Sequence, residues 1–334
     1  MISFIGFSCG SIHNDHMREK HNLVFIQNGT IKVGILTDVG GRIVYASLIG
    51  EKNILKSDSE LWVENAKEKP EVSARSHFKA YNGHIVWVGP QKEWWSHQNK
   101  NLYRKYSKAN WPPDPYLTIG DYNIINQTDT SISMISPESP VSGLQLTKEI
   151  KIDSKGKIFF RCIAKNILKT DVSWDLWFNT RLDGFSRFYV PASSQSIKQI
   201  NKGFNKKSDT LDYTVKDDFF TFIPEKPTGG KTDRWAKAYL FPISPYIAAF
   251  SEEQLLLIHF ESHVPSEIHH DQSEVEIFNS ITTNNQDALL ELEYHAPYKT
   301  LKPGETMEAW ENWDIRSYHE VLNDTACIQF IKKN

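Results

Sequence analysis

The stretch Trp174-Asp-Leu-Trp-Phe-Asn-Thr-Arg-Leu-Asp183 divides cleanly when read with a period of two. Trp174, Leu176, Phe178, Thr180 and Leu182 share one face of a strand, and Asp175, Trp177, Asn179, Arg181 and Asp183 share the other. The first face is mostly apolar and suits a core. The second offers a ring, an amide, a cation and two carboxylates. Such a set can stack on the C–H face of a sugar while bonding its hydroxyls, although a half-exposed strand of any sheet reads the same way. Leu289-Leu-Glu-Leu-Glu-Tyr-His-Ala-Pro297 repeats the pattern, with Glu291, Glu293 and His295 on one face. Two carboxylates about 7 Å apart along a strand can hold hydroxyls or divide acid and base roles.

Two further groups could add chemistry. Four of the ten tryptophans lie between residues 87 and 111, in a Pro- and Trp-rich run that also holds His84, Gln91, Trp95, His97 and Asp114. A strand feeding such a loop makes either a pocket wall or a plug for one end of the core. His269-His270-Asp271 offers metal-ligating types. Adjacent histidines of a strand point to opposite faces, so neither a metal nor a cofactor is expected, and His270 is a candidate for reaching the pocket.

Strands must position these residues. Thr30–Thr37 and Arg42–Leu48 flank the turn Asp38-Val-Gly-Gly41, and Asp153-Ser-Lys-Gly156 turns between two alternating runs. Further strands are expected near 83–88, 131–136, 144–152, 236–241, 246–250, 255–260, 274–279, 287–294 and 307–315. Helix is sparse, with Asp58–Lys67 a candidate and a turn or two within Trp95–Lys108. Many strands and little helix predict an all-β protein, a large antiparallel sandwich. An N-terminal segment, 1–21, precedes one domain over 22–334, within which Lys202–Asp233 reads as a long insertion or loop.

A formal net charge of −3 over 334 residues leaves no basic footprint for nucleic acid. No apolar run reaches the length of a membrane-spanning helix. The three cysteines, Cys9, Cys162 and Cys327, make no disulfide framework, and the last two read as buried strand cysteines. Cys9 follows apolar and small residues and precedes Gly-Ser and a polar stretch, which resembles the end of a bacterial lipoprotein signal. On that reading Cys9 carries a lipid anchor and the protein is in the bacterial envelope. On the alternative it has an ordinary cytoplasmic N-terminus. A monomer is expected.

Asn28-Gly-Thr-Ile-Lys-Val-Gly-Ile-Leu-Thr-Asp-Val-Gly-Gly-Arg-Ile-Val-Tyr-Ala-Ser-Leu48 resembles the opening of galactose-mutarotase-like domains. Leu290-Glu-Leu-Glu-Tyr-His-Ala-Pro297 and Leu301-Lys-Pro-Gly-Glu-Thr-Met-Glu-Ala-Trp-Glu-Asn-Trp313 resemble their ending. The likeness spans roughly 22–318 and is to a bacterial branch of unknown function. It implies a supersandwich of two large twisted antiparallel sheets, with a sugar or oligosaccharide lying on the concave face of one. In aldose 1-epimerases of this superfamily a histidine protonates the ring oxygen and a glutamate takes the proton of the anomeric hydroxyl. The resemblance makes Glu291 the heir of that glutamate, with Glu293 next. The matching strand Trp177-Phe-Asn-Thr-Arg181 has no histidine, and arginine is a poor acid. The candidates for the acid are therefore His84, His97 and His270. Arg42, Gln91, Trp95, His97, Asp114, Trp177, Asn179, Arg181 and Glu293 are the expected substrate contacts, the two arginines favouring a negatively charged or heavily hydroxylated glycan. Three functions stay open: a sugar-active acid–base enzyme, a non-catalytic glycan-binding module, and a structural domain with a vestigial cleft.

Overall fold

The computed structural model describes residues 21–62, 70–202, 213–224, 234–282 and 284–333. Among them the strands are Leu23–Gln27 (β1), Ile31–Leu36 (β2), Arg42–Leu48 (β3), His84–Gly89 (β4), Asn123–Thr128 (β5), Ser131–Ile135 (β6), Leu144–Ile152 (β7), Ile158–Asn166 (β8) and Val172–Asp183 (β9). They continue with Arg187–Pro191 (β10), Ile197–Lys202 (β11), Tyr213–Lys216 (β12), Phe219–Phe222 (β13), Arg234–Leu240 (β14), Tyr246–Ser251 (β15) and Gln254–Phe260 (β16). Val275–Ile281 (β17), Leu289–His295 (β18), Lys299–Leu301 (β19) and Thr306–Ser317 (β20) complete them. The α-helices are Leu102–Tyr106 (α1), Pro115–Thr118 (α2) and Asp324–Lys333 (α3).

Two large antiparallel sheets result, as the alternating runs require. The first runs β1-β2-β3-β4-β9-β18-β17-β14-β11, with β19 on the start of β9. The second runs β12-β13-β10-β15-β16-β20-β8-β7-β6-β5. Their inner faces meet through rings: Phe178 lies 5.6 Å from Phe160, and Tyr294 stacks on Phe260 at 4.5 Å. Each such ring removed from water contributes about 2–3 kcal/mol.

The inner layer also holds polar groups that bond across it. Gly40 and Gly41 turn the chain at φ 76° and 51°, where a Cβ at Gly40 would strike the Thr118 carbonyl. Lys148 Nζ crosses from β7 to donate to the Gly40 and Gly41 carbonyls, and burial lowers its pKa to about 7. Next along, Arg42 gives its guanidinium to the carbonyls of Val39, Asn82 and Thr118. This arginine ties three chain segments together and is buried, so it is committed to the fold.

Two local expectations change. Residues 59–61 form only a short 3-10 turn, and residues 63–67 of that candidate helix lie outside the described residues. Cys162 is a buried strand cysteine on β8, but Cys327 is buried on α3. There it packs with Ile328 and Ile331 over Tyr189, Phe250, Leu255 and Leu257 of the second sheet. Part of the 202–233 stretch is sheet, as β12 and β13. Cys9 and its flanking segment lie outside the described residues.

Candidate functional site

The outer face of the first sheet gathers the polar side chains of four neighbouring strands. Pairing of β9 with β18 sets Arg181 opposite Glu291, Asn179 opposite Glu293 and Trp177 opposite His295. On the next strand Glu276 stands opposite Glu293, and β14 adds Lys237 opposite Phe278. On the other side β4 sets Trp87 opposite Trp177 and Gly89 opposite Asp175. The period of two brings every one of these to one side.

Charge is dense here and almost wholly buried. Arg181 Nε donates to Glu291 Oε1 at 2.7 Å. Lys237 Nζ lies 2.7 Å from Glu276 Oε2 and 2.8 Å from Glu293 Oε2. His295 Nε2 faces the same two carboxylates at 3.6 and 3.8 Å, while its Nδ1 lies 3.7 Å from Asp175 Oδ2. Burial works against the charge of Lys237, but Glu276 and Glu293 outweigh it and raise its pKa. Burial opposes a proton on His295 as well, and Glu276 with the surrounding carboxylates raises its pKa well above the usual value. Glu276 stays ionised against burial because Lys237 and His295 hold its pKa low, at about 2. Burial wins at Glu293, whose pKa is raised. The face therefore sets a firmly ionised carboxylate beside a carboxyl that keeps its proton more readily.

Glu276, Glu293 and His295 offer ligand atoms within 4.8 Å of one another, which is metal-like spacing. Lys237 already bonds both carboxylates, and its ammonium supplies the positive charge a cation would bring. His269 and His270 lie at a turn, not in a strand. Their rings are 4.3 Å apart, with Asp271 held by Lys92, so the expectation that they diverge does not hold.

Rings roof this face. Trp94 stacks on Trp177 at 5.9 Å, and Trp87 meets Trp177 edge-on at 5.0 Å. Trp111 packs against Trp87, Trp94 and Phe78. The Arg181 guanidinium lies 5.1 Å from the Trp87 ring, and Lys237 Nζ lies 5.1 Å from the Trp177 ring. Under this cover, among the described residues, several buried atoms have no hydrogen-bond partner. They are both amide atoms of Asn179, Nε1 of Trp87 and Trp177, Oε1 of Glu293 and Oδ2 of Asp175. A buried polar group left unpaired costs about 1–3 kcal/mol, so these atoms mark where water or a hydroxyl-bearing ligand bonds.

Gly89 makes the arrangement fit. A Cβ there would stand 2.5 Å from Asp175 Oδ1 and closer still to Gln272 Nε2. Its N–H donates to Asp175 Oδ1, and Gln272 Nε2 lies 2.8 Å from His295 Nδ1. Gly89→Ala is expected to lower stability by about 1–3 kcal/mol through overpacking. Chemical denaturation measures it, and a loss below about 0.5 kcal/mol would show that the contact relaxes freely.

Some expected residues are elsewhere. His84 projects from the opposite face of the sheet, between the two layers. Its Nδ1 bonds Thr180 Oγ1, and its ring meets Phe160 and Trp313 at 4.7 and 4.9 Å. Burial lowers its pKa well below the usual value, and Glu311 beside it is raised by burial to about 8. It therefore cannot hand a proton to a sugar beside Glu291. Asp114 caps α2 and accepts from Ser139, which uses its carboxylate for the fold. Trp95 is buried, with Nε1 on the Pro112 carbonyl. Gln91 bonds the Asn110 carbonyl, His97 pairs with Glu93 in the open, and His270 is exposed beside Asp271. Conversely, Asp175, Lys237, Glu276 and His295 belong to the cluster. The alternation of Glu274-Val-Glu276-Ile-Phe and Leu289–His295 carried a signal for Glu276 and His295. Lys237 gave none without the pairing of β14 to β17.

No curated protein sequence matches this one. Solved structures do match in fold. The Slr1438 protein from Synechocystis sp. PCC 6803 superposes with a TM-score of 0.54 at 12% identity, covering 95% of this chain and 100% of that one. A galactose mutarotase-like protein from Lactobacillus casei ATCC 334 gives 0.51 at 9% identity, covering 88% and 100%. Another, from Clostridium acetobutylicum, gives 0.51 at 13%, covering 89% and 96%. The fold is thus galactose-mutarotase-like, and identities this low establish the fold alone. By sequence, residues 22–316 match one family throughout, and the chain belongs to it: DUF4380, a domain of unknown function.

Proposed function

We propose that the outer face of the first sheet binds one unit of a sugar or oligosaccharide and performs acid–base chemistry on it, in the manner of an aldose 1-epimerase. The unpartnered atoms of Asn179, Trp87 and Trp177, set beside the Arg181–Glu291 pair and under indole rings, carry this reading. Amide and indole N–H groups bond hydroxyls, and rings cover the C–H faces between them. Glu291 takes the proton of the anomeric hydroxyl, with Arg181 fixing its orientation. The acid is drawn from the same strand face. Glu293 lies two residues along, about 7 Å away, and its raised pKa suits proton donation. His295, facing Glu293 and Glu276, replenishes that proton.

Binding without catalysis is the second reading. It is favoured by Arg181, which stands in the strand where the resemblance to epimerases calls for a histidine. Saturation-transfer NMR against a panel of mono- and oligosaccharides, with anomer exchange followed in the same tubes, tests both readings. The wild type is expected to bind at least one sugar, and Asn179→Leu to weaken it about tenfold or more by removing two hydrogen bonds. Faster anomer exchange supports the enzyme, and binding without it supports the module. No binding across the panel, or equal binding by the variant, overturns the proposal.

A further inference from the structure

The loop that roofs the candidate site continues into a surface of unusual composition. From Trp94 to Pro113 the chain has no carboxylate, while it carries Lys100, Arg104, Lys105 and Lys108. The chain as a whole is acidic, at −3. Within this stretch α1 presents Tyr103 at 83% exposure and Tyr106 at 77%, next to Leu102 at 52%. They are the two most exposed large apolar side chains among the described residues. Tyr103 and Tyr106 are three apart on the helix, which makes them surface neighbours about 5–6 Å apart at Cβ. Among the described residues neither ring packs on another ring and neither hydroxyl is bonded. Nor do the ammonium groups of Lys100, Lys105 and Lys108 meet a carboxylate.

The surface is built, not loose. Asn101 caps α1 through the Arg104 N–H. The Arg104 guanidinium bonds the carbonyls of Ala74 and Ser76 and lies over the Trp95 ring at 4.5 Å. One arginine is thus spent on anchoring the helix, while Lys100 and Lys108 are exposed and Lys105 is half-buried. The same loop leads to Trp111, which packs against the roof rings Trp87 and Trp94 and is itself 45% exposed. The loop thus links the roof rings, through Trp111 and through Arg104 over Trp95, to the helix that carries the two open tyrosines.

We propose that residues 99–111 form a rail for an acidic glycan, a chain bearing carboxylates such as a polyuronate, whose end reaches the sheet site. The tyrosine rings stack on successive sugar units, and Lys100, Lys105 and Lys108 meet their carboxylates. The sheet face, rich in its own carboxylates, contacts hydroxyls only. This deepens the sugar reading above and rests on it. A membrane surface could use the same residue types, but the continuity with the ring-roofed site favours a glycan.

Native affinity electrophoresis in gels containing polygalacturonate or the neutral polymer dextran tests the rail. The wild type is expected to be retarded by polygalacturonate and not by dextran, and less so as salt is raised. Lys100→Gln/Lys105→Gln/Lys108→Gln and, separately, Tyr103→Ala/Tyr106→Ala are each expected to weaken the apparent affinity at least tenfold. Lys100, Tyr103, Tyr106 and Lys108 are exposed and Lys105 is half-buried, so the variants keep the fold, which circular dichroism checks. Equal retardation by both polymers, or undiminished retardation of the variants, overturns the proposal. So does sedimentation with phosphatidylglycerol vesicles without polymer retardation, or a dimer that the tyrosine variant abolishes. The two readings fail separately. Asn179-dependent sugar binding without polyuronate retardation overturns the rail and leaves the sheet site. Retardation without any Asn179-dependent sugar signal overturns the sheet site, and with it the rail's role as its extension.

Discussion

Lys237→Met is expected to lower the free energy of unfolding by about 3–5 kcal/mol, the cost of leaving buried charge without its partner. The ammonium serves Glu276 and Glu293 at 2.7 and 2.8 Å, and both carboxylates are buried. Methionine keeps the stem but none of the charge. Adding Glu276→Gln and Glu293→Gln to the variant should restore a large part of the loss, because the uncompensated carboxylates are then gone. The acid-side loss of stability should also shrink. In the wild type Glu276 has a depressed pKa, so it contributes stability above the unfolded carboxylate range, and this is lost as pH falls toward about 2. In the variant His295 alone opposes burial at the two carboxyls, so both pKa values move up. The folded state then binds more protons than the wild type does, and less stability is lost as pH falls. Urea unfolding across pH measures both effects. A loss below about 1 kcal/mol, or a wild-type-like pH profile, would mean that Lys237 does not neutralise the pair.

Glu291→Gln is expected to slow sugar anomer exchange by about 10²–10⁴ while the fold persists. Glutamine keeps the shape and can still accept from Arg181 Nε, so the orientation survives and the base does not. The bond from Arg181 loses its charged acceptor, which costs about 1 kcal/mol of stability that thermal melting will register, while near-ultraviolet circular dichroism checks the fold. Glu293 sets the other limb of the profile. Its pKa is raised by burial, so the protonated acid persists above the ordinary carboxylate range, and the rate should fall as pH rises through that raised value. Glu293→Gln should remove this alkaline dependence. Exchange unchanged in Glu291→Gln would leave binding as the only role of this face.

The parts of the site written in the sequence are those whose strands have one polar face. Alternation in 174–183 and 289–295 separated Trp177, Asn179, Arg181, Glu291 and Glu293 from the core residues, and the pairing of β9 with β18 sets them side by side. All six residues of β4 are buried, so its alternation carried no polarity and could not say which face His84 takes. Lys237 and Glu276 join through pairings between strands distant in sequence, which no local pattern encodes. Asp114 and Trp95, in a suggestive loop, and Arg42, at the start of β3, are polar or amphipathic, yet a cap, core packing and carbonyls consume them. The two-sheet architecture followed from turn signals and period. An edge strand such as β5, exposed along its whole length, had no apolar face to announce it.

The place of β20 bears on how the molecule is made. It lies between β16 and β8, in the middle of the second sheet, and is later in sequence than every other described strand. During synthesis β8 and β16 therefore emerge with open backbone edges on the sides they will later share, and only β20 can seal both. Until then the nascent chain presents two unpaired strand edges flanking an apolar gap, the kind of template on which other chains add. A ribosome stalled, or a chain cut, before Thr306 leaves that gap permanently open, so fragments ending there are candidates for aggregation and chaperone capture, not for partial function.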